Sequence, residues 1–182
     1  MLQGGPRGLF KKTQVVLTAA DHVLIPLGDK MPDGTIIGAR GANGLLAPKS
    51  QLNDWWRNMY QYQWNVYPVQ APYRMAQGLL GVKLAVEKAM AANGGKKPNN
   101  EQIANALRGL EWEAPNGKIK MALANGHQAI QPTAMGKTRW DASKKMVMLE
   151  DIVRFPAECV NPPPNTKAED WMKAGFPGAK CD

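Results

Sequence analysis

Hydrophobic residues occur in two distinct patterns along this chain, and each pattern predicts a different kind of element. Two short continuous apolar runs come early, at Val15 to Thr18 and at Thr35 to Ala39. The second run follows the turn signal Pro32-Asp33-Gly34. A continuous apolar run between polar turns is typical of a parallel strand that is buried on both faces. The early part of the chain is therefore predicted to form buried strands, after a short helix end around Leu9.

Three helices are predicted next, from apolar residues at three- and four-residue spacing. Ser50 is placed to cap the first helix, whose apolar positions are Leu52, Trp55, Trp56, Met59 and Tyr60. Pro72 suits the first turn of the second helix, whose apolar stripe is Met75, Leu79, Val82 and Val86. Asn99 or Asn100 caps the third helix, which ends at Gly109. These stripes, with the six tryptophans on or beside them, are predicted to fill the core and interfaces.

The pattern changes to strands after Gly109. Candidate strands are 118–123, 129–138 and 146–155, and the turn signals Asn116-Gly117 and Asn125-Gly126 separate them. Strands and helices alternate early in the chain, and strands follow strands late. The sequence therefore predicts the α/β class, with an antiparallel or hinge-like tail.

The net charge is +8, from 23 basic and 15 acidic residues. A surface that binds nucleic acid has its basic residues clustered, whereas here they occur singly or in pairs such as Lys11-Lys12, Lys96-Lys97 and Lys144-Lys145. The charge therefore predicts a solvated basic surface and no nucleic-acid partner. No apolar run approaches the roughly 18 residues that cross a bilayer, and Met1 to Phe10 lacks the apolar region of a signal peptide.

Recognisable catalytic motifs are missing from the sequence. It contains no Gly-rich phosphate loop, no G-x-S-x-G elbow and no H-E-x-x-H pair. Asp21 and His22 place an acid beside a base, but neighbouring residues on an extended chain point apart. An enzyme therefore stays as an alternative that requires Asp21 and His22 to converge in a cleft. No cofactor and no metal site are predicted, because neither cysteine has another Cys or His at ligand spacing.

Two cysteines, Cys159 and Cys181, flank a proline-rich segment near the C-terminus. In a reducing compartment they would be free thiols. In an oxidising compartment a bridge between them would tie down the tail. The residues alone leave both alternatives open.

Several blocks of the chain, taken in order, resemble one known family. They are Val66 to Leu80, Ile103 to Trp112, Ala114 to Gly117 and the closing stretch from Gly126 to Lys173. Together they are similar to the substrate-binding proteins of ABC importers, of the branched-chain amino acid and amide type. The resemblance covers nearly the whole chain but corresponds to the second half of the family's length. We therefore expect a C-terminal fragment of such a protein.

The resemblance implies a type I periplasmic-binding-protein-like fold. In this fold two α/β lobes with parallel sheets are joined by three crossover strands, and the ligand lies in the cleft between the lobes. By analogy, residues 1–32 would end lobe two and residues 33–116 would end lobe one. Residues 117–182 would form the crossover, the return to lobe two and the C-terminal tail.

A ligand site is implied by the same resemblance. The family's acidic group for a ligand ammonium falls in the loop after Val15 to Thr18, where Thr18 and Asp21 are the candidates. An ionised Asp accepts charge-assisted hydrogen bonds from an ammonium or an amide. The alternative is a loop Asp that bonds only to local backbone groups.

The second part of the implied site lies at the start of the long helix. Ala71 falls in the column of the family's aromatic wall, and Tyr73 is close by as a flat ring with a hydroxyl. Helix-end packing is the alternative for Tyr73. Arg74 is a candidate partner for an anionic ligand, although a single arginine at a helix start commonly faces solvent.

The expected function follows from the resemblance. The chain would be the solute-binding component of an ABC importer for an amino acid, an amide or a related polar or aromatic ligand, and would not be an enzyme. Its partners would be that small molecule, the membrane permease, and either a second copy or the missing N-terminal half. Its location would be the periplasm, where Cys159 and Cys181 would be bridged. The alternative is an interaction fragment that binds no ligand.

Overall fold

Two β-sheets, each with its own helices, organise the computed structural model, which describes residues 3–18, 20–38 and 41–181. The first sheet has the strand order β1-β2-β6-β7. Its strands are β1 (Val16–Thr18), β2 (Ile36–Gly38), β6 (Thr133–Asp141) and β7 (Met146–Phe155). β1 and β2 run parallel, while β6 is antiparallel to both of its neighbours. The sheet therefore joins an early parallel pair to a late antiparallel hairpin.

Short helical segments flank the strands of the first sheet. α1 (Leu9–Lys12) precedes β1, and α2 (Leu24–Leu27) lies between 3-10 turns at Asp21–Val23 and Gly28–Lys30. The buried cluster beneath this connection consists of Leu24, Met31, Ile37 and Val147. Packing of α2 on β7 fixes the position of the loop that carries Asp21.

The second sheet has the order β3-β4-β5, and three helices accompany it. Its strands are β3 (Glu111–Ala114), β4 (Gly117–Leu123) and β5 (Gln128–Ile130), and the helices are α3 (Gln51–Trp64), α4 (Gln70–Ala92) and α5 (Asn100–Leu107). The predicted caps are confirmed, because Ser50 accepts from the Asn53 backbone and Asn99 forms a capping box with Gln102. Among the described residues, no helix is long and apolar enough to cross a membrane.

The face of α4 that packs inward is not the one predicted. Small and polar residues form its buried side: Tyr73, Ala76, Gln77, Gly81, Ala85 and Ala89. The predicted core stripe points outward instead, with Met75 64%, Leu79 65% and Val82 49% exposed. Small side chains allow close packing of α4 against Trp112 of β3 and against α5. We call the exposed set of Met75, Leu79, Val82 and Met90 the outer stripe of α4.

Helix α3 shows the same departure from the predicted core. Trp55 and Met59 are 57% and 49% exposed, and Trp64 at the end of the helix is 63% exposed. Of the six tryptophans, only Trp112 and Trp171 are buried. The periodicity therefore predicted the helices correctly. Of the core and interface roles expected for the tryptophans, a core position is confirmed for Trp112 and Trp171, and an interface role for the exposed ones stays a prediction.

Strand β1 lies at an edge of the first sheet. The strand predicted at Val15 to Thr18 is confirmed over Val16–Thr18, but Val16 is 54% exposed. Only β2 pairs with β1, so its other edge has no strand neighbour among the described residues. The second predicted run is confirmed over Ile36–Gly38, where Ile37 is buried. Its last residue, Ala39, lies outside the described residues.

The chain changes sheet after β2 and again between β5 and β6. These points differ from the predicted divisions after residues 32 and 116. β2 follows the first division yet belongs to the first sheet, and β4 and β5 follow the second division yet belong to the second sheet. The turn at Pro115 and Asn116 is instead a two-residue hairpin connection between β3 and β4.

The C-terminal tail contains α6 (Ala157–Val160) and α7 (Ala168–Lys173). A disulfide joins Cys159 in α6 to Cys181 across a sequence separation of 22. Trp171 of α7 is buried, donates its indole N–H to the Pro177 carbonyl at 3.0 Å, and meets the Phe176 ring edge-on at 5.1 Å. The tail therefore has its own small apolar centre, which the disulfide fastens to α6.

Replacement of Cys159 with serine is expected to loosen the tail while the two sheets stay folded. Closing a loop of this length contributes roughly 3 kcal/mol in the chain-entropy model. Hydrogen exchange should show faster exchange in α7 and unchanged exchange in β6 and β7. Reduction of the wild-type protein is the matched control and should give the same result. Unchanged exchange in α7, or two free thiols in protein made in an oxidising compartment, would contradict this prediction.

Candidate functional site

A cavity of about 310 Å³ lies where the first sheet meets the connection between α3 and α4. The first-sheet side contributes Asp21, Leu24, residues 144–147 and Leu149, the last two groups from the β6–β7 turn and the start of β7. Arg57 and residues 65–69 come from the helical side. This volume is at the lower end of the range of about 300–1,000 Å³ that is typical of small-molecule sites. The cavity therefore has the size for a small ligand that contacts both structural units.

A second groove, of about 740 Å³, runs along the C-terminal tail between the second sheet and α7. It is more open, and among the described residues Lys167 is the one charged residue that lines it. A small-molecule site usually combines an apolar wall with a few polar groups that fix the ligand. The first cavity is more enclosed and holds a shielded ionisable group, Asp21, so it is the candidate site.

Asp21 lies at the start of a 3-10 turn and lines the cavity, with its carboxylate shielded from solvent. Both carboxylate oxygens are buried, and neither meets the distance and angle of a hydrogen bond with any described residue. Burial raises the pKa of this carboxyl above its ordinary value of 3.8, and the nearby backbone N–H of Gln70 and the charge of His22 offset the rise only in part. A buried acceptor without a full partner is costly to the fold, and this is a common feature of binding sites.

The side chains around Asp21 are mostly apolar, and basic residues join them. Apolar lining residues include Leu24, Ile25, Leu45, Val66, Val69 and Leu149. Arg57 lies with its guanidinium carbon 5.6 Å from the centre of the Tyr67 ring, in a cation–π contact. Lys144 and Lys145 line the cavity from the β6–β7 turn. In the part of the chain that the structure describes, the cavity thus combines an apolar wall with one acid and three bases.

Of the residues predicted to contact ligand, Asp21 alone lines this cavity. Thr18 is exposed at the end of the edge strand β1. Ala71 is exposed in the first turn of α4, and Tyr73 and Arg74 lie on the same helix without lining the cavity. The structure therefore does not bring the two predicted parts of the site together around this cavity.

Tyr73 is a core residue in this structure. Its side chain has no solvent exposure, and its hydroxyl donates to Asn53 Oδ1 at 2.7 Å. The Trp56 ring meets it edge-on, with centroids 6.5 Å apart. Burial raises the pKa of Tyr73 well above its ordinary range. The ring therefore joins α3 to α4, which matches the packing alternative, and it does not form a ligand wall here.

Arg74 belongs to a network of buried amides beside the cavity. Asn116 donates to Asn43 Oδ1 at 3.2 Å and to Gln77 Oε1 at 2.9 Å. In the orientation that satisfies its neighbours, Gln131 donates to Gln77 Oε1 at 3.1 Å and accepts from the Arg74 guanidinium. Asn43 and Gln131 lie in the two segments that cross between the sheets. The network therefore ties both crossings to α4 and to the β3–β4 turn.

The structure does not assemble an acid–base pair from Asp21 and His22. His22 is exposed and does not line the cavity, whereas the carboxylate oxygens of Asp21 are shielded. In the ranges 3–18, 20–38 and 41–181, no group of three or more His, Cys, Asp or Glu is arranged to hold a metal ion.

Several lining residues were not predicted as site residues. Arg57 lies on α3 between residues of its apolar stripe, and Lys144-Lys145 is one of several basic pairs that are scattered along the sequence. They reach the cavity only because α3 and the β6–β7 turn approach each other in the fold. One sequence feature did mark this part of the cavity, namely the break between two helices at Asn65 to Pro68. Asn65 ends α3 in the left-handed conformation, and Pro68 follows three residues later.

No protein-family model matches this sequence, and no curated protein matches it. Solved structures do match. An ABC-type branched-chain amino acid transporter protein from Rhodopseudomonas palustris is 24% identical, with a TM-score of 0.61 over 80% of this chain and 36% of that chain. A solute-binding protein of an ABC transporter from another strain of that species, in complex with 3,4-dihydroxybenzoic acid, is 21% identical, with a TM-score of 0.63 over 85% of this chain and 40% of that chain.

A leucine-binding protein from Thermotoga maritima is also similar in structure. It is 14% identical, with a TM-score of 0.59 over 82% of this chain and 39% of that chain. The predicted α/β fold is thereby confirmed, and it corresponds to the type I periplasmic-binding-protein fold. The chain spans less than half the length of these solved structures.

Proposed function

We propose that this chain supplies part of the solute-binding site of an ABC importer. The cavity between the first sheet and the α3–α4 connection would hold the ligand, and Asp21 would accept a hydrogen bond from it. The chain would act in the periplasm, deliver its ligand to a membrane permease, and catalyse no reaction. The observation that carries this proposal is Asp21, which lines a largely apolar cavity and whose shielded carboxylate has no hydrogen-bond partner among the described residues.

The structural neighbours support this proposal at the level of fold. One is described as a branched-chain amino acid transporter protein, one as bound to a dihydroxybenzoic acid, and one as a leucine-binding protein. Their ligands are small molecules with both apolar and polar groups. A cavity of about 310 Å³ with an apolar wall suits ligands of this kind. The ligand proposed for this chain is therefore an amino acid, an amide or an aromatic acid.

Binding should be tested with a ligand panel on the intact chain. Saturation-transfer NMR detects weak binding, which is appropriate because the chain supplies only part of the fold of its structural neighbours. Amino acids, amides, urea and aromatic acids would form the panel. Saturation transfer to at least one class, lost when the cavity is blocked by Leu45→Trp, would support solute binding. If no class gives a signal at millimolar concentration, the interaction-fragment alternative is preferred.

Replacement of Asp21 with asparagine is expected to weaken the binding of an ammonium-bearing ligand by roughly 1.5–3 kcal/mol, the usual contribution of a charged hydrogen bond. Asp29→Asn is the matched control, since Asp29 is exposed and does not line the cavity. Titration calorimetry would measure both variants. An unchanged dissociation constant in Asp21→Asn would remove Asp21 from the site.

The same substitution has a predicted effect on stability, and the sign is opposite to that on binding. Burial raises the pKa of Asp21 in the folded state, so the contribution of this group to stability is present at low pH and is lost as pH rises through the raised pKa. Asparagine does not ionise. The thermal stability of Asp21→Asn relative to wild type should therefore increase with pH, and a difference that does not change with pH would contradict this.

An interaction fragment that binds no ligand is the second candidate. The observation that favours it is the exposed outer stripe of α4, together with the open edge of β1. Surfaces of this kind are commonly covered by another polypeptide. A second copy of the chain, or a polypeptide with the rest of the fold, would be the partner.

A further inference from the structure

We propose that the basic residues of the cavity, Arg57 with Lys144 and Lys145, form a binding site for the anionic group of an apolar organic acid. This inference deepens the proposed function and rests on it. It places the anionic group of the ligand at residues that the sequence pattern did not indicate as site residues. Arg74, the sequence-based candidate for an anionic ligand, instead donates to Gln131 beside the cavity.

Arg57 is the centre of this anion site. It lies on α3, lines the cavity, and is held against the Tyr67 ring at 5.6 Å. Arg57 takes part in none of the ion pairs between described residues, so no described carboxylate lies within ion-pair distance of its guanidinium. A guanidinium fixed by an aromatic ring presents a planar fork that matches a carboxylate. Arg57 thus lines the cavity without an ion-pair partner among the described residues.

The β6–β7 turn holds the two lysines beside the same cavity. Asp141 organises this turn by accepting from the Ser143 hydroxyl at 2.6 Å and from the backbone N–H of Lys144 at 3.1 Å. It also forms an ion pair with the Lys144 ammonium at 3.0 Å. Lys145 forms no such pair within the described residues and adopts a left-handed backbone conformation at the turn. The turn therefore offers at least one uncompensated positive charge to the cavity.

The three basic residues belong to different structural units on either side of the cavity. Arg57 belongs to the helical unit, whereas Lys144 and Lys145 belong to the first sheet. An anion that contacts both sets would join the two units across the cavity. Apolar residues such as Leu24, Val66 and Leu149 would surround the rest of the ligand and reduce the screening of these charges by water. The ligand that fits this arrangement is a small carboxylic acid with an apolar body.

The test uses ligand sets of the same shape and different charge. Benzoate, benzamide and benzylamine form an aromatic set, and 3-methylbutanoate, 3-methylbutanamide and 3-methylbutylamine form an aliphatic one. Their affinities for the intact chain would be measured by NMR titration. We expect the carboxylate to bind most tightly in at least one set. Arg57→Gln should weaken that carboxylate roughly 10- to 100-fold and leave the amide unchanged.

Control variants separate the anion site from general effects of charge and folding. Arg139→Gln makes the same change in charge on the surface, outside the cavity, and should leave carboxylate binding unchanged. The double variant Lys144→Gln with Lys145→Gln alters only an exposed turn, so it tests the site even if Arg57→Gln fails to fold. It should also weaken the carboxylate.

The outcomes distinguish this inference from the proposed function. If in both sets an amide or an amine binds as tightly as the carboxylate, or if the lysine double variant binds the carboxylate like wild type, the anion site is refuted and solute binding stands. If no member of either set binds at millimolar concentration, the inference is rejected and the proposed function fails for ligands of this size.

Discussion

Replacement of Gly81 with valine is expected to lower the free energy of unfolding by roughly 2 kcal/mol or more, which is the upper part of the usual range for an overpacked core. Gly81 lies in the buried face of α4, and a Cβ atom there would come 2.6 Å from Cζ2 and 2.9 Å from Cη2 of Trp112. Real Cβ atoms do not approach other atoms this closely, so the indole or the helix must move.

Trp112 has little freedom to move away. Its indole N–H donates to the Gln77 carbonyl at 3.1 Å, and the residue is 7% exposed within a cluster that includes Ala114 and Ile119. A shift of the ring would break the hydrogen bond and disturb this cluster. The cost of the larger side chain is therefore expected to exceed the gain in helix propensity over glycine, which is at most about 1 kcal/mol.

Gly78 supplies a matched control on the same helix. It is exposed, and a Cβ atom there would meet nothing within 4 Å. Gly78→Ala should therefore raise stability by about 0.5–1 kcal/mol, because alanine favours the helix. Urea denaturation followed by tryptophan fluorescence would compare the variants. A Gly81→Val protein as stable as wild type would show that α4 does not pack on Trp112 as described.

The second large effect concerns self-association. We expect the chain in solution to form a dimer or larger species through the outer stripe of α4, where Met75, Leu79 and Val82 are each about half exposed or more. Apolar stripes of this kind on a helix favour association. The double variant Met75→Glu with Leu79→Lys should shift the chain to monomer without lowering its helix content, because both new residues favour helices.

Light scattering coupled to size-exclusion chromatography would measure the mass of each species. Phe176→Glu is the control, since Phe176 is 51% exposed but lies in the C-terminal tail, and its mass should match that of wild type. A monodisperse wild-type monomer with one cooperative thermal transition would contradict the prediction. It would mean that the described elements close a core without help from the outer stripe.

The difference between the predicted and the observed core has a simple physical origin. Spacing of apolar residues identified α4 correctly, because a helix places residues three and four apart on one side. It could not identify which side packs inside this chain, since α4 has an apolar stripe around Leu79 and a second surface of small residues around Gly81. Close approach of Trp112 selects the small surface, and that contact joins residues 31 positions apart.

Prediction of the candidate site was limited in a similar way. Asp21 was indicated by a family resemblance and lines the cavity, but its role in binding stays a prediction. Tyr73 was indicated by the same resemblance and lies in the core, because its hydroxyl has a buried partner in Asn53. Arg57 and Lys145 carried no local signal, since the cavity exists only where separate elements converge. The chemistry of a single residue can be predicted from the sequence, whereas the meeting of distant residues at one cavity depends on the fold.

The amides of Asn43, Gln77, Asn116 and Gln131 couple the two crossings to α4 as mutual donors and acceptors. A substitution at one of these positions leaves a polar group on another without its partner. Each single replacement is therefore expected to cost more stability than the contacts of the replaced side chain alone. Double replacements within the set are expected to be non-additive, because the four side chains share partners.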